Sequence, residues 1–159
     1  MSKTIIIYYS FEGNTKFIAD YLAEKLDAEI LSLKPEKEIS THGFMKYFWA
    51  GRQAVMKIKP PLKKYVFDVN KYDIIILGCP IWAGPIAPPL RTFLSENKIE
   101  GKKVAFFCTH KGGKGRALES AQKLLGDNNE YLGSIDVNSP LTNEGFSFDL
   151  LNEWLESLS

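Results

Sequence analysis

The chain has 159 residues, 45% hydrophobic and 25% charged, which fits one domain with a sizeable core and excludes a disordered or fibrous polypeptide. A formal net charge of +1 gives no whole-molecule field toward nucleic acid or a membrane surface. With two cysteines, no apolar run of membrane-spanning length and no signal peptide before the apolar run that starts near Thr4, the expectation is a cytoplasmic protein with reduced thiols.

Ile5 to Tyr9 is an unbroken apolar and aromatic run, the pattern of a strand buried on both faces. Ser10-Phe11-Glu12-Gly13-Asn14-Thr15 follows as a short turn. Phe17, Ile18, Tyr21, Leu22 and Leu26 then recur at helical spacing. A strand, a hydroxyl- and glycine-bearing turn and a helix start together suit a phosphate, because the first helical amides lack internal partners and carry partial positive charge. The same residues also fit a plain βα loop whose serine or threonine only caps the helix. Glu29 to Leu33 reads as a second strand. Gly43 to Met56 has helical periodicity with a heavy aromatic load, ended by Pro60-Pro61. It can lie on the sheet through Phe44, Phe48 and Val55, or offer Tyr47 and Trp49 to a pocket rim or a partner. Between Lys34 and Lys71 nine basic residues face three acids, whereas Lys114 to Ser159 has three against eight. Solvated faces explain this as well as a docking surface does.

Asp73 to Cys79 is a third strand, and it runs into the proline-rich stretch from Pro80 to Pro89. A helix starts near Leu90. Val104 to Cys108 is a fourth strand and opens into Thr109-His110-Lys111-Gly112-Gly113-Lys114-Gly115, followed by a helix through Ala117, Ala121, Leu124 and Leu125. Tyr131 to Val137 makes a fifth strand and Phe146 to Leu158 a closing helix. Strands alternating with helices give a parallel sheet covered on both faces, whose ligands bind beyond the carboxyl ends of the strands. Three loops of unusual composition, Ser10–Thr15, Pro80–Pro89 and Thr109–Gly115, all leave such ends.

Spacing removes several chemistries. Gly113-Lys114 is followed by Gly115, so there is no P-loop, and the dinucleotide fingerprint starting at Gly113 fails at Leu118. A cysteine phosphatase would need arginine where Pro85 or Lys114 stands. No G-x-S-x-G elbow occurs, and His42 and His110 show no zinc spacing. What fits is a ligand with a phosphate at one end and a flat apolar body. Trp82 supplies a stacking face beside Pro80 and Pro85, and the glycine-rich third loop brings amides without bulk. Alternatively, Trp82 plugs the sheet edge and the third loop is a lysine-bearing surface turn.

The first loop resembles the flavodoxin phosphate loop. Gly78-Cys79-Pro80-Ile81-Trp82-Ala83-Gly84 with Pro88-Pro89, Thr109-His110-Lys111-Gly112-Gly113 and the Phe48-Trp49 helix are similar to a flavodoxin-like branch of that family. The resemblance spans nearly the whole chain. It implies an α/β three-layer sandwich with a five-stranded parallel sheet of order 2-1-3-4-5 in one domain, noncovalent FMN and no metal. The phosphate would lie on Ser10, Asn14, Thr15 and the amides of Phe11, Glu12 and Gly13. The ring system would rest against Pro80, Ile81, Trp82, Ala83 and Gly84 and against Thr109, His110, Gly112 and Gly113.

Two departures stand out. Glu12 occupies a position where flavodoxins usually have a hydroxyl, and beside a phosphate its carboxylate should turn away. The chain is also neutral where carrier flavodoxins tend to be acidic. Lys111, Lys114 and Arg116 are therefore expected to stabilise anionic reduced flavin. The functional expectation is an electron-transfer flavoprotein working with redox partner proteins or a small-molecule acceptor. The alternatives are an NAD(P)H-dependent reductase of quinones or similar acceptors, and a module that has lost the cofactor. The cofactor would carry the redox chemistry in either of the first two.

Overall fold

A computed structural model of the chain describes residues 2–37, 59–81, 86–111 and 116–158. The helix expected over 43–56 lies outside them, as do Trp82, Ala83, Gly84, Gly112 and Gly113. Their elements alternate as expected: β1 (Thr4–Tyr8), α1 (Asn14–Leu26), β2 (Glu29–Ser32), β3 (Ile74–Pro80), α2 (Pro88–Glu96), β4 (Lys103–His110), α3 (Ala117–Leu125), β5 (Glu130–Asn138) and α4 (Asp149–Ser157). The strands form one parallel sheet of order β2-β1-β3-β4-β5. Chain order reverses between β1 and β3, so a crevice opens there at the carboxyl ends of these strands.

The continuous apolar runs are used on both faces, because successive side chains of a strand point to opposite sides. Ile5, Ile7, Ile75, Leu77, Val104 and Phe106 pack with Leu90 and Phe93 of α2 and Ala117 and Ala121 of α3. Ile6, Ile76, Ala105 and Phe107 pack on the other face with Ile18 and Leu22 of α1 and Leu151 and Trp154 of α4. The four helices named here therefore divide two to a face. A Cβ built on Gly78 would lie 2.0 Å from Cζ of Phe107, so the glycine admits that ring between β3 and β4.

The closing helix starts at Asp149, not Phe146. Phe146 and Phe148 have helix-compatible spacing, but they build an aromatic cluster with Phe17 and Tyr21 of α1, Tyr21 stacking on Phe148 at 4.2 Å. A turn closed by Phe146 N–H donating to Asn143 O precedes the helix. Long-range aromatic packing thus overrides the local period. The main-chain ladder also continues past Tyr8: Leu33 N–H donates to Tyr8 O at 2.8 Å and Tyr9 N–H to Gly78 O at 3.1 Å. β1 is therefore held on both sides up to the residue that begins the first loop.

Candidate functional site

The first loop is closed by its own serine. Ser10 Oγ accepts hydrogen bonds from Gly13 N–H at 3.2 Å and Lys16 N–H at 3.1 Å. That turns the loop sharply and leaves the hydroxyl proton of Ser10 to donate elsewhere. Gly13 precedes α1 at φ 100°, a left-handed conformation that glycine adopts without strain. The next two amides, Asn14 and Thr15, have no acceptor among the described residues, as expected at a helix N-terminus. Asn14 Oδ1 accepts from Leu141 N–H at 3.0 Å, which orients the side-chain amide and leaves its NH2 group as a further donor. The loop therefore combines free amides, a serine proton and an asparagine NH2 at the positive end of a helix dipole. That is the donor set a phosphate monoester needs.

Thr15 and Thr109 join the first and third loops. Their hydroxyls lie 2.7 Å apart and both residues are buried, Thr15 at 1% and Thr109 at 2% exposure. Thr109 O in turn accepts from Ile81 N–H at 2.9 Å, tying the foot of the second loop to the third. Pro80 pairs with Thr109 in the last rung of β3 against β4. Ile86 N–H donates to Ser120 Oγ at 3.0 Å, so the far end of the second loop is fastened to the first turn of α3. Ser10, Gly13, Asn14, Thr15, Pro80, Ile81, Thr109 and His110 are thus gathered at one edge of the sheet. Ile81 and Phe11 are partly buried against the core cluster on the α2–α3 face.

Two side chains have defined partners of their own. Glu12 forms an ion pair with Lys111 at 2.7 Å, so the carboxylate is compensated by the third loop. The same contact revises the expectation for Lys111: its ammonium is already matched by a carboxylate and is not a net positive charge for a reduced ligand. The pair is half-exposed on the lysine side, so its contribution to stability is small. His110 Nε2 lies 3.0 Å from Asp136 Oδ2, and this ring is held toward β5.

A fourth segment, from Ser139 to Asn143, was not legible as part of the site. Ser139 adopts φ 39° and donates through both N–H and Oγ to His110 O, at 2.8 and 3.0 Å. Thr142 and Asn143 amides donate back to Ser139 O, forming a compact turn that brings Leu141 over the first loop. A Cβ on Gly13 would sit 3.4 Å from Leu141 Cδ1. The available signal was the Asn138-Ser139-Pro140 run, turn formers directly after the fifth strand and hence at the same edge. Among the described residues no group of His, Cys, Asp and Glu is arranged to hold a metal, and no helix is long and apolar enough to cross a membrane.

Comparison with known proteins gives the same picture at the level of the family. The sequence model described as flavodoxin matches residues 3–158. A curated flavodoxin of Maridesulfovibrio salexigens is 30% identical over 114 residues, covering 67% of this chain and 62% of that protein. The match thus spans somewhat less than two thirds of the length of that relative. Among solved structures, a flavoprotein in complex with FMN from Lactobacillus acidophilus is 25% identical, with a TM-score of 0.75 over 97% of this chain and 99% of its own. Two-electron reduced flavodoxin of Megasphaera elsdenii is 19% identical, with a TM-score of 0.60 over 98% and 97%, a likeness of fold.

Proposed function

Since the chain belongs to the flavodoxin family, we propose that it binds FMN noncovalently at the carboxyl edge of the sheet and transfers electrons between redox partners. The observation that carries this reading is the first loop: the Asn14 and Thr15 amides without acceptors, Gly13 in the left-handed region, and Ser10 closing the turn with its proton still available. A dianionic phosphate placed there gains charge-assisted hydrogen bonds and the field of α1.

When bound, FMN supplies the one- and two-electron chemistry, and the protein supplies position and electrostatics. Ser10 and Asn14 donate to the phosphate. The Thr15–Thr109 hydroxyl pair fixes the distance between the first and third loops, so the phosphate end and the ring end are held by one rigid frame. The Ile81–Thr109 and Ile86–Ser120 bonds hold the second loop from both ends. The ion pair of Glu12 and Lys111 removes a carboxylate that would repel the phosphate.

The test is to purify the protein with FMN and mix it with NADH or NADPH in a stopped-flow cell. Bleaching of the flavin only when a separate reductase is present is the expected result for a carrier. Rapid bleaching by the nucleotide alone would select the reductase reading. Protein that retains no yellow colour after loading with FMN would overturn both.

A further inference from the structure

We propose that the exposed lysines beyond the end of β2 form a docking face for a redox partner protein with an acidic surface. Two segments meet there. Pro35 and Leu62 pair in an antiparallel bridge, with Glu36 N–H donating to Pro61 O at 2.9 Å and Lys63 N–H to Lys34 O at 2.7 Å. Pro35 is buried and Leu62 packs against the core, so their neighbours Lys34 and Lys63 turn to the outside. Lys34 is thereby set directly opposite Lys63, a like-charge pairing that costs stability across two paired segments. Lys37, Lys59 and Lys64 are also exposed on residues 34–37 and 59–64, where Glu36 is the one acid.

These five ammonium groups have no carboxylate matched to them. Lys3, Lys16, Lys98 and Lys111 form ion pairs with Glu29, Asp20, Glu100 and Glu12. Among the described residues Lys34, Lys37, Lys59, Lys63 and Lys64 form none. An acidic surface placed against them relieves the repulsion that the backbone pairing imposes. Val66 adds an apolar contact. It is 91% exposed on the outer side of the same segment, whose Tyr65 and Phe67 rings pack inward on Phe93. An apolar contact beside charged residues suits a protein–protein interface.

Charge is segregated across the sheet. β2 is one edge strand and β5 the other. On the β5 side Asp127, Glu130, Glu144, Asp149 and Glu153 are exposed. With a net charge of +1 the chain is steered as a dipole, its β2 edge toward an anionic surface. The acidic far side opposes wrapping by a long polyanion such as RNA, whereas a compact protein meets the lysines alone.

The face borders the candidate site. Leu33 N–H donates to Tyr8 O, so Lys34 leaves the sheet at the same carboxyl edge as the first loop. Pro60 O accepts from Thr92 Oγ1 of α2 at 2.7 Å, which holds the second lysine-bearing segment to the body of the fold. That the partner is a redox protein rests on the carrier reading above; its acidity follows from the lysines.

The probe is a small acidic two-iron ferredoxin, and its association rate with the full chain is measured at low and physiological ionic strength, with and without FMN. Lys63→Glu/Lys64→Glu turns the repulsion with Lys34 into attraction, so this variant should melt no lower than wild type. Lys103→Glu/Lys123→Glu changes the net charge equally, using two exposed lysines away from the face. The first variant should slow association about tenfold or more at low salt and the second far less, the difference fading as salt rises. Equal slowing by both variants would overturn the proposal. So would an association rate insensitive to salt, or tighter lysine-dependent binding of polyuridylate RNA than of the ferredoxin. Lysine-dependent association by a chain that retains no FMN supports the docking face and refutes the flavin reading. A yellow chain that meets the ferredoxin without using these lysines refutes the docking face alone.

Discussion

Replacing Thr15 with valine tests how far the site depends on one buried contact. Among the described residues each of these threonine hydroxyls has the other as its side-chain partner, at 2.7 Å, and both residues are buried. Thr15→Val keeps the shape of the side chain but leaves the Thr109 hydroxyl unpaired in the interior, a cost of about 1–3 kcal/mol. Thr109→Val leaves Thr15 unpaired at a similar cost. The double variant removes both polar groups from a site of unchanged shape and is expected near wild-type stability, since replacing both partners of a buried bond is close to neutral. For a chain of this size each kcal/mol moves the melting temperature by about 2–4 °C. Urea unfolding of the four proteins without ligand gives a double-mutant cycle whose coupling, the sum of the two single costs when the double variant is near wild type, is about 2–6 kcal/mol in magnitude. FMN titration gives the second readout. Each single variant should weaken binding because the first and third loops are no longer held in register, and the double variant should recover most of the loss. Strict additivity of the two destabilisations would refute the stability argument. A double variant that is stable but still binds FMN weakly would show that the Thr15 hydroxyl touches the phosphate itself.

Three further outcomes follow from individual residues. Gly13→Val forces a β-branched side chain into φ 100° with its Cβ within 3.4 Å of Leu141, and should abolish retention of FMN on gel filtration; unchanged yellow colour would refute the phosphate assignment. Gly78→Ala places a methyl 2.0 Å from the Phe107 ring, where carbon atoms need about 3.5–4.0 Å, and should cost about 1–3 kcal/mol or more in urea unfolding. That penalty should shrink when Phe107 is also changed to leucine. At alkaline pH the Tyr72 phenol, hydrogen-bonded to Glu29 and buried, and the Tyr65 phenol, partly buried and bonded to Glu96, are both pushed up to about 12. The unfolded chain releases these protons near pH 10, so the folded state holds more protons above that pH. Their contribution is complete below pH 10 and is lost as pH rises toward 12, which melting curves across this window should show. Tyr72→Phe should flatten that slope.

The order of elements was written in hydrophobic runs and periods, because a strand buried on both faces requires an unbroken apolar stretch and its covering helix a stripe. Ile5–Tyr9, Asp73–Cys79 and Val104–Cys108 are of this kind, and β1, β3 and β4 follow them closely. The first loop was equally legible, since Gly13 and Ser10 act within a few residues of each other. The start of α4 was misjudged because Phe146 and Phe148 find their partners in α1, more than a hundred positions away.

What sequence alone determined is therefore local: which stretches are strands, which are helices, and which turn carries the serine and glycine that close it at the start of α1. Which loops meet was decided by tertiary structure. Thr15 reaches Thr109, Glu12 reaches Lys111 and Asn14 reaches Leu141 only after parallel pairing stacks the strand ends along one edge. The physical reason is that a hydrogen bond between residues ninety or more positions apart leaves no periodic trace in the chain. Its partners are set by strand order and register, and these are fixed by burial of the whole sheet at once.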